Sequence, residues 1–246
     1  MVIAPLSKTD NLPRPNAREA NGFAGPNGEP VDETYSPAPP PSLHVLEHPI
    51  AQHALTALRN KHTPTKQFRL FSNQLLALLA MEATRTLPTR TETVETPADT
   101  HTGCVLGKPV IFLSLTRHSL GLAHSLADFI PGVSIGAVTL DHGSNDRQLE
   151  PRLHLVNAPM LNDARVILFD PVVGTGLSAG CALHLVRRSG ASDISLLSFL
   201  ISAPGLKRVQ AAIPNLTVWT AAVEPVLDAK RGPLPGLGNF AERFYA

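Results

Sequence analysis

The stretch VILFDPVVGTGLSAG, residues 166–180, constrains the fold of this chain more than any other. Val166, Ile167, Leu168 and Phe169 form an unbroken apolar run, the pattern of a central parallel strand covered on both faces. Asp170 ends the run, Gly174 and Gly176 flank Thr175, and Ser178 stands where a helix N-cap is expected. A strand feeding a glycine-rich turn and then a helix aims several backbone N–H groups at one place, beside the positive end of the helix dipole.

The same alternation recurs along the chain. The apolar runs VIFLSL, SIGAVTL, VILF, ISLLSFLI and LTVW are separated, in several cases, by helical stretches. That order predicts an α/β fold, a mostly parallel sheet with helices on both faces, whose ligands bind at the carboxyl ends of the strands. Two helices precede it. HPIAQHALTALRN has Pro49 at a first helical position with Ile50, Leu55 and Leu58 on one face, and TPTKQFRLFSNQLLALLAMEATRTL is a longer amphipathic helix stopped near Pro88. The stripe of Leu78, Leu79 and Met81 reads as core packing.

Residues 1–42 are different. They hold nine of the 23 prolines, including Pro39, Pro40 and Pro41, and lack a sustained apolar period. Such a segment buries too little surface to offset its ordering entropy, so a disordered Pro-rich tail is expected, with one globular domain over 43–246.

Composition removes several function classes. Net charge is +1 and aromatics make up 5% of residues, which suits neither a nucleic-acid surface nor a base-stacking platform. No apolar stretch reaches the roughly 20 residues of a membrane helix, and the acidic residues Asp10, Glu19, Glu29, Asp32 and Glu33 disfavour a transit peptide. Cys104 and Cys181 are far apart and read as reduced, buried thiols of a cytoplasmic protein. His44, His48, His53 and His62 lack carboxylate partners at ligand spacing, which favours helix-surface or capping roles over metal binding.

Three readings of the 170–178 loop remain open on residue types alone. One is an ordinary strand-to-helix turn that needs glycine only for its backbone angles. A second is a nicotinamide site, weak because the next strand ends without an acidic residue; a P-loop is weaker, since no Gly-Lys-Ser/Thr is present. The third is a ribose-phosphate cradle, with Asp170 accepting from sugar hydroxyls and the amides of Gly174 to Ser178 taking a phosphate.

Five segments in order favour the third. HPIAQHALTALRNKHTPTKQFR, LTRHSLGLA, DRQLEP, ILFDPVVGTGLS and LPGLGNFAERF resemble successive segments of the uracil phosphoribosyltransferases, from about His44 to the end. The resemblance implies a type I phosphoribosyltransferase fold, and an activity converting uracil and 5-phosphoribosyl diphosphate to UMP and pyrophosphate, with Mg2+ bound through the substrate diphosphate and not by protein side chains. It implies that the loop from Asp170 through Pro171, Val172, Val173, Gly174, Thr175, Gly176 and Leu177 to Ser178 holds the ribose 5-phosphate and hydroxyls. Arg117 would bind the departing pyrophosphate, with His142 and Arg147 on a nearby arm as further candidates. Pro233, Gly238, Asn239 and Phe240 would line the uracil and ribose site, and Asp170, Arg117 and Asn239 would form the catalytic set. Arg59, Lys66 and Arg69 would lie where some members bind GTP as an activator; a solvated helix face is the competing reading. A homo-dimer or homo-tetramer is implied as well, with no nucleic-acid or membrane partner.

Four positions depart from the family pattern. Asn239 stands for the usual Asp, His142 for an Arg, His118 and Ser119 for Ala-Gly after Arg117, and Pro233 for a residue with an amide. These departures keep two alternatives in view: a catalytically weakened relative that binds phosphoribosyl ligands as a sensor or partner subunit, and a transferase for another pyrimidine-like base.

Overall fold

The computed structural model describes residues 42–142, 149–155, 158–230 and 232–246. Arg147 and the greater part of the expected tail lie outside these residues, as do the side chains of Arg117, His118 and His142.

The chain runs β1 (Ser42–Val45), α1 (Pro49–Arg59), α2 (Thr65–Thr84), β2 (Thr89–Glu95), β3 (Thr100–Leu106), β4 (Val110–Ser114), α3 (Arg117–Ala123), β5 (Ser134–His142), β6 (Leu149–His154) and β7 (Arg165–Phe169). It continues through β8 (Val172–Val173), α4 (Leu177–Arg188), β9 (Asp193–Ser202), α5 (Ala203–Ala212), β10 (Thr217–Glu224), β11 (Val226–Leu227), β12 (Pro233–Leu234) and α6 (Phe240–Tyr245). The main sheet has the order β1-β10-β9-β7-β4-β5-β6, with β8 paired to β9. Every pairing in it is parallel except β5 with β6.

Alternation of side chains across the pleat divides the core into two layers. Phe112, Ile167, Phe169, Leu197 and Phe199 pack on one face with α1, α2, α3 and α6. Ile111, Leu113, Val166, Leu168 and Leu196 pack on the other with α4 and α5. Runs such as VILF are continuous because both faces of these strands are covered.

Several expectations change. Ile50 and Met81 are 56% and 60% exposed, so the apolar stripe of the first two helices is only partly core; Leu55, Leu58 and Leu79 are the buried members. Cys104 is exposed, because it lies on the polar β2–β3 hairpin, and Cys181 is half-buried. Periodicity did not predict that hairpin: threonines and charges alternate in it with no apolar face to read. Of the histidines, His48 caps α1 by accepting from Ile50 N at 3.2 Å, and His44 stacks on Trp219 at 4.1 Å between ring centroids.

Candidate active site

Strand β7 ends at Phe169, and the chain rejoins the sheet as β8 in the same register against β9: Phe169 pairs with Leu197 and Val172 with Leu200. The break falls at Asp170 and Pro171, and a proline has no N–H for the ladder. Asp170 is thereby turned out at the carboxyl edge of the sheet. The residue keeps partial solvent access, but protein crowds its carboxyl group, and this desolvation pushes its pKa up to about 7. The Val172 amide, 3.4 Å from Asp170 Oδ1, pulls weakly the other way.

Beyond β8 the turn is set by close backbone contact with the start of α5. Gly176 has φ +72°, and a Cβ there would lie 2.6 Å from the Gly205 carbonyl oxygen. A Cβ on Gly205 would lie 2.3 Å from the Gly174 oxygen. Both positions therefore require glycine. Ser202 Oγ donates to the Gly174 carbonyl (2.6 Å) while accepting from Gly205 N (2.9 Å), and Arg208 holds the Thr175 carbonyl at 3.0 Å. With the carbonyls held behind, the amides of Thr175, Gly176 and Ser178 find no acceptor among the described residues. The helix cap is Gly176, not Ser178: α4 begins at Leu177, so Ser178 lies in the first turn and contributes its N–H and hydroxyl there.

Arg117 opens a short helix instead of extending a loop. Thr116 caps α3 in a capping box with Ser119, and the buried Ser119 hydroxyl also meets Ser114 Oγ at 2.5 Å. Ser119 is thus a structural group that points into protein. Leu115 N donates to Phe169 O at 2.9 Å, which sets the beginning of α3 beside Asp170.

The third part is the segment from Pro233 to Asn239. Strand β12 pairs antiparallel with β11, Leu227 opposite Pro233, and packs against β9. Gly236 and Gly238 have φ +64° and +77°, and the Leu234–Pro235 peptide is cis. Asn239 is exposed and caps α6, its Oδ1 accepting from the amides of Ala241 (3.1 Å) and Glu242 (3.3 Å). Phe240, 7% exposed, packs in the core against Phe68, Phe199 and Phe244, which leaves only its main chain for a ligand.

The basic set on α1 and α2 also has an unexpected placement. Arg59 pairs with Glu224 (2.5 Å) and donates to the Gly236 carbonyl (3.0 Å). Arg69 donates to Phe244 O at 2.6 Å and lies over the Phe244 ring. Two of the three cations therefore brace the carboxyl-terminal segment instead of standing as a solvated face, and Lys66 is exposed. Arg243 completes the brace from the other side, donating to Leu58 O, Leu237 O and Asn60 O; burial lowers its pKa.

An Asp at a strand end, a cup of open amides and a rigid carboxyl-terminal turn thus meet along one edge of the sheet. The uracil phosphoribosyltransferase family model matches residues 45–246. The chain belongs to the uracil phosphoribosyltransferase family. A uracil phosphoribosyltransferase of Agrobacterium fabrum is 35% identical over 205 residues, spanning 82% of this chain and 96% of that protein. One of Caulobacter sp. strain K31 is 33% identical over 203 residues, with coverage of 82% and 96%. In fold, the AQ2163 protein from Aquifex aeolicus is similar with a TM-score of 0.74 at 22% identity, covering 83% of this chain and 98% of that one.

In this member of the uracil phosphoribosyltransferase family, Ser202, Gly205, Arg208, Glu224 and Arg243 shape the site although sequence reasoning did not single them out. Of these only Ser202 carried a local signal, a Ser at a strand end followed by Ala-Pro, which marks a helix start. The others act through partners distant in sequence.

Proposed function

We propose that this chain is a uracil phosphoribosyltransferase of pyrimidine salvage, transferring the 5-phosphoribosyl group from its diphosphate to uracil to give UMP and pyrophosphate. The observation that carries this reading is the cup of open amides at Thr175, Gly176 and Ser178 beside the single carboxyl of Asp170. The amides and the helix terminus suit a phosphate monoester. Asp170 suits the ribose hydroxyls; hydrogen bonds donated by them favour its ionised form and draw its pKa back down.

In the transfer, the bond from the anomeric carbon to the diphosphate breaks, leaving positive charge on the ribose and negative charge on the leaving group. The family resemblance assigns that negative charge to Arg117, whose backbone opens α3. The 5-phosphate, remote from the reacting carbon, fixes orientation. The Pro233 to Asn239 turn offers main-chain groups to the edge of uracil, with Gly238 and Asn239 next to the ribose.

The donor set fits Mg2+ arriving on the substrate. Asp170, at the end of β7, is a carboxyl beside the cup proposed for the substrate's phosphate. Magnesium is commonly held by one or two carboxylates plus substrate phosphates, and it would offset charge on the departing pyrophosphate. A homo-dimer or homo-tetramer in the cytoplasm belongs to the same reading, whereas two of the three cations of the GTP site that the resemblance implied, Arg59 and Arg69, are taken up by Glu224, Gly236 and Phe244. The oligomer is supported by the family resemblance.

The test is UMP formation from labelled uracil, 5-phosphoribosyl diphosphate and Mg2+, with and without GTP. Turnover on the order of 1 per second is expected, abolished by Asp170→Ala. No UMP, with calorimetry still detecting 5-phosphoribosyl diphosphate, would replace the enzyme with a ligand-binding relative.

A further inference from the structure

The carboxyl edge of the sheet holds a buried ion pair that the proposed chemistry does not use. Glu224 ends β10 with its side chain 3% exposed, against 27% for its partner Arg59. A carboxylate this deep requires a partner, and Arg59 has two tasks. One nitrogen meets Glu224 Oε1 at 2.5 Å and the other holds the Gly236 carbonyl at 3.0 Å.

We infer that Glu224 and Arg59 form a positioning pair for the base-binding turn, fixing the 236–237 peptide against the phosphate cradle; this rests on the uracil reading above. The peptide is planar and trans, so when Arg59 holds the Gly236 oxygen the Leu237 N–H points the opposite way. That N–H has no acceptor among the described residues. The turn cannot easily adapt by itself: Gly236 has φ +64°, and a Cβ there would stand 2.2 Å from the Pro233 oxygen. Arg59 is anchored in the last turn of α1, where Arg243 binds the closing carbonyls of the same helix. Glu224 sits opposite Ser202 in the β9–β10 register, and Ser202 holds the Gly174 carbonyl of the phosphate turn. Adjacent strand ends thereby fix the two halves of the site at one spacing.

Arg59→Lys separates these roles, since an ammonium can keep Glu224 paired but cannot reproduce the fork. Expected is a rise of about tenfold in KM for uracil, from one lost charge-assisted hydrogen bond, with KM for 5-phosphoribosyl diphosphate within about twofold of wild type. An unchanged uracil KM, or both KM values rising together, would overturn the inference. The double variant Arg59→Met with Glu224→Met removes both charges and so guards against simple unfolding. A folded double variant with weak uracil binding supports positioning, and one with normal uracil binding rejects it. If the wild-type chain makes no UMP, the proposed activity fails by itself. Amide hydrogen exchange then reads the pair directly: faster exchange at 236–239 in Arg59→Lys upholds it, and unchanged exchange refutes it.

Discussion

Asp170 combines two demands that conflict in the free protein. In the proposed reaction it faces a sugar, and it does so from a crowded strand end that pushes its pKa up to about 7. With the unfolded value near 3.9, the folded state binds the extra proton between about pH 4 and 7. Stability from this group is therefore highest below pH 4 and falls as pH rises through that window. Asp170→Asn should remove the decline and raise stability at pH 8 by about 2 kcal/mol, a value discounted for partial exposure, while lowering kcat/KM at least about 10²-fold. Denaturant titrations at several pH values check the first, and steady-state rates the second. Gly205→Ala is the backbone counterpart: its Cβ meets the Gly174 oxygen at 2.3 Å. Loss of at least about 2 kcal/mol of stability is expected, with a raised KM for 5-phosphoribosyl diphosphate, measured by thermal melts and initial rates.

Among the elements, α6 is short and depends on its first residue. Asn239 caps it twice and adds Nδ2 to Glu242 Oε1 at 2.8 Å. Asp and Asn are near-equal caps, but Asn239→Asp also exchanges the donor to Glu242 for a like charge, so it should cost about 0.5 kcal/mol, and Asn239→Ala should cost about 1 kcal/mol. Comparing UMP formation in the two variants then separates the charge at this position from the cap: a gain in Asp alone identifies the missing carboxylate as a limit on turnover. The α3 start behaves differently. Ser119 completes a capping box and contacts Ser114, so its departure from the family's small residue serves the helix that carries Arg117.

For the whole molecule, the two ends of the sheet divide their tasks. At the amino ends Asp193 pairs with Lys108 (3.1 Å) and Arg165 (2.6 Å), far along β7 and β9 from the residues of the site. Asp193→Asn should lower stability by about 1–3 kcal/mol through the partners left behind, with UMP formation per folded molecule unchanged; chemical denaturation beside a rate assay checks both. The family model matches from residue 45, and 96% of the Agrobacterium fabrum relative is covered by its similarity to this chain. Removal of residues 1–41 should accordingly leave the melting temperature and turnover as they were.

The sequence by itself determined the layered α/β fold and the glycine-rich turn that follows Asp170, because each depends on local chemistry. Apolar runs make covered strands, Asp170–Pro171 breaks a ladder, and glycine is needed where backbones meet. It also pointed to Asn239, but as a missing charge and not as a helix cap. Arg59, Arg69, Glu224, Ser202 and Gly205 took their roles only in the tertiary structure. Arg59 reaches a carboxylate 165 residues away, and Ser202 a carbonyl 28 residues back. A guanidinium on an amphipathic helix has the same local pattern whether it faces water or a buried partner. Which one it meets is decided when α1 and α2 pack on the sheet and the carboxyl-terminal segment folds back beneath them.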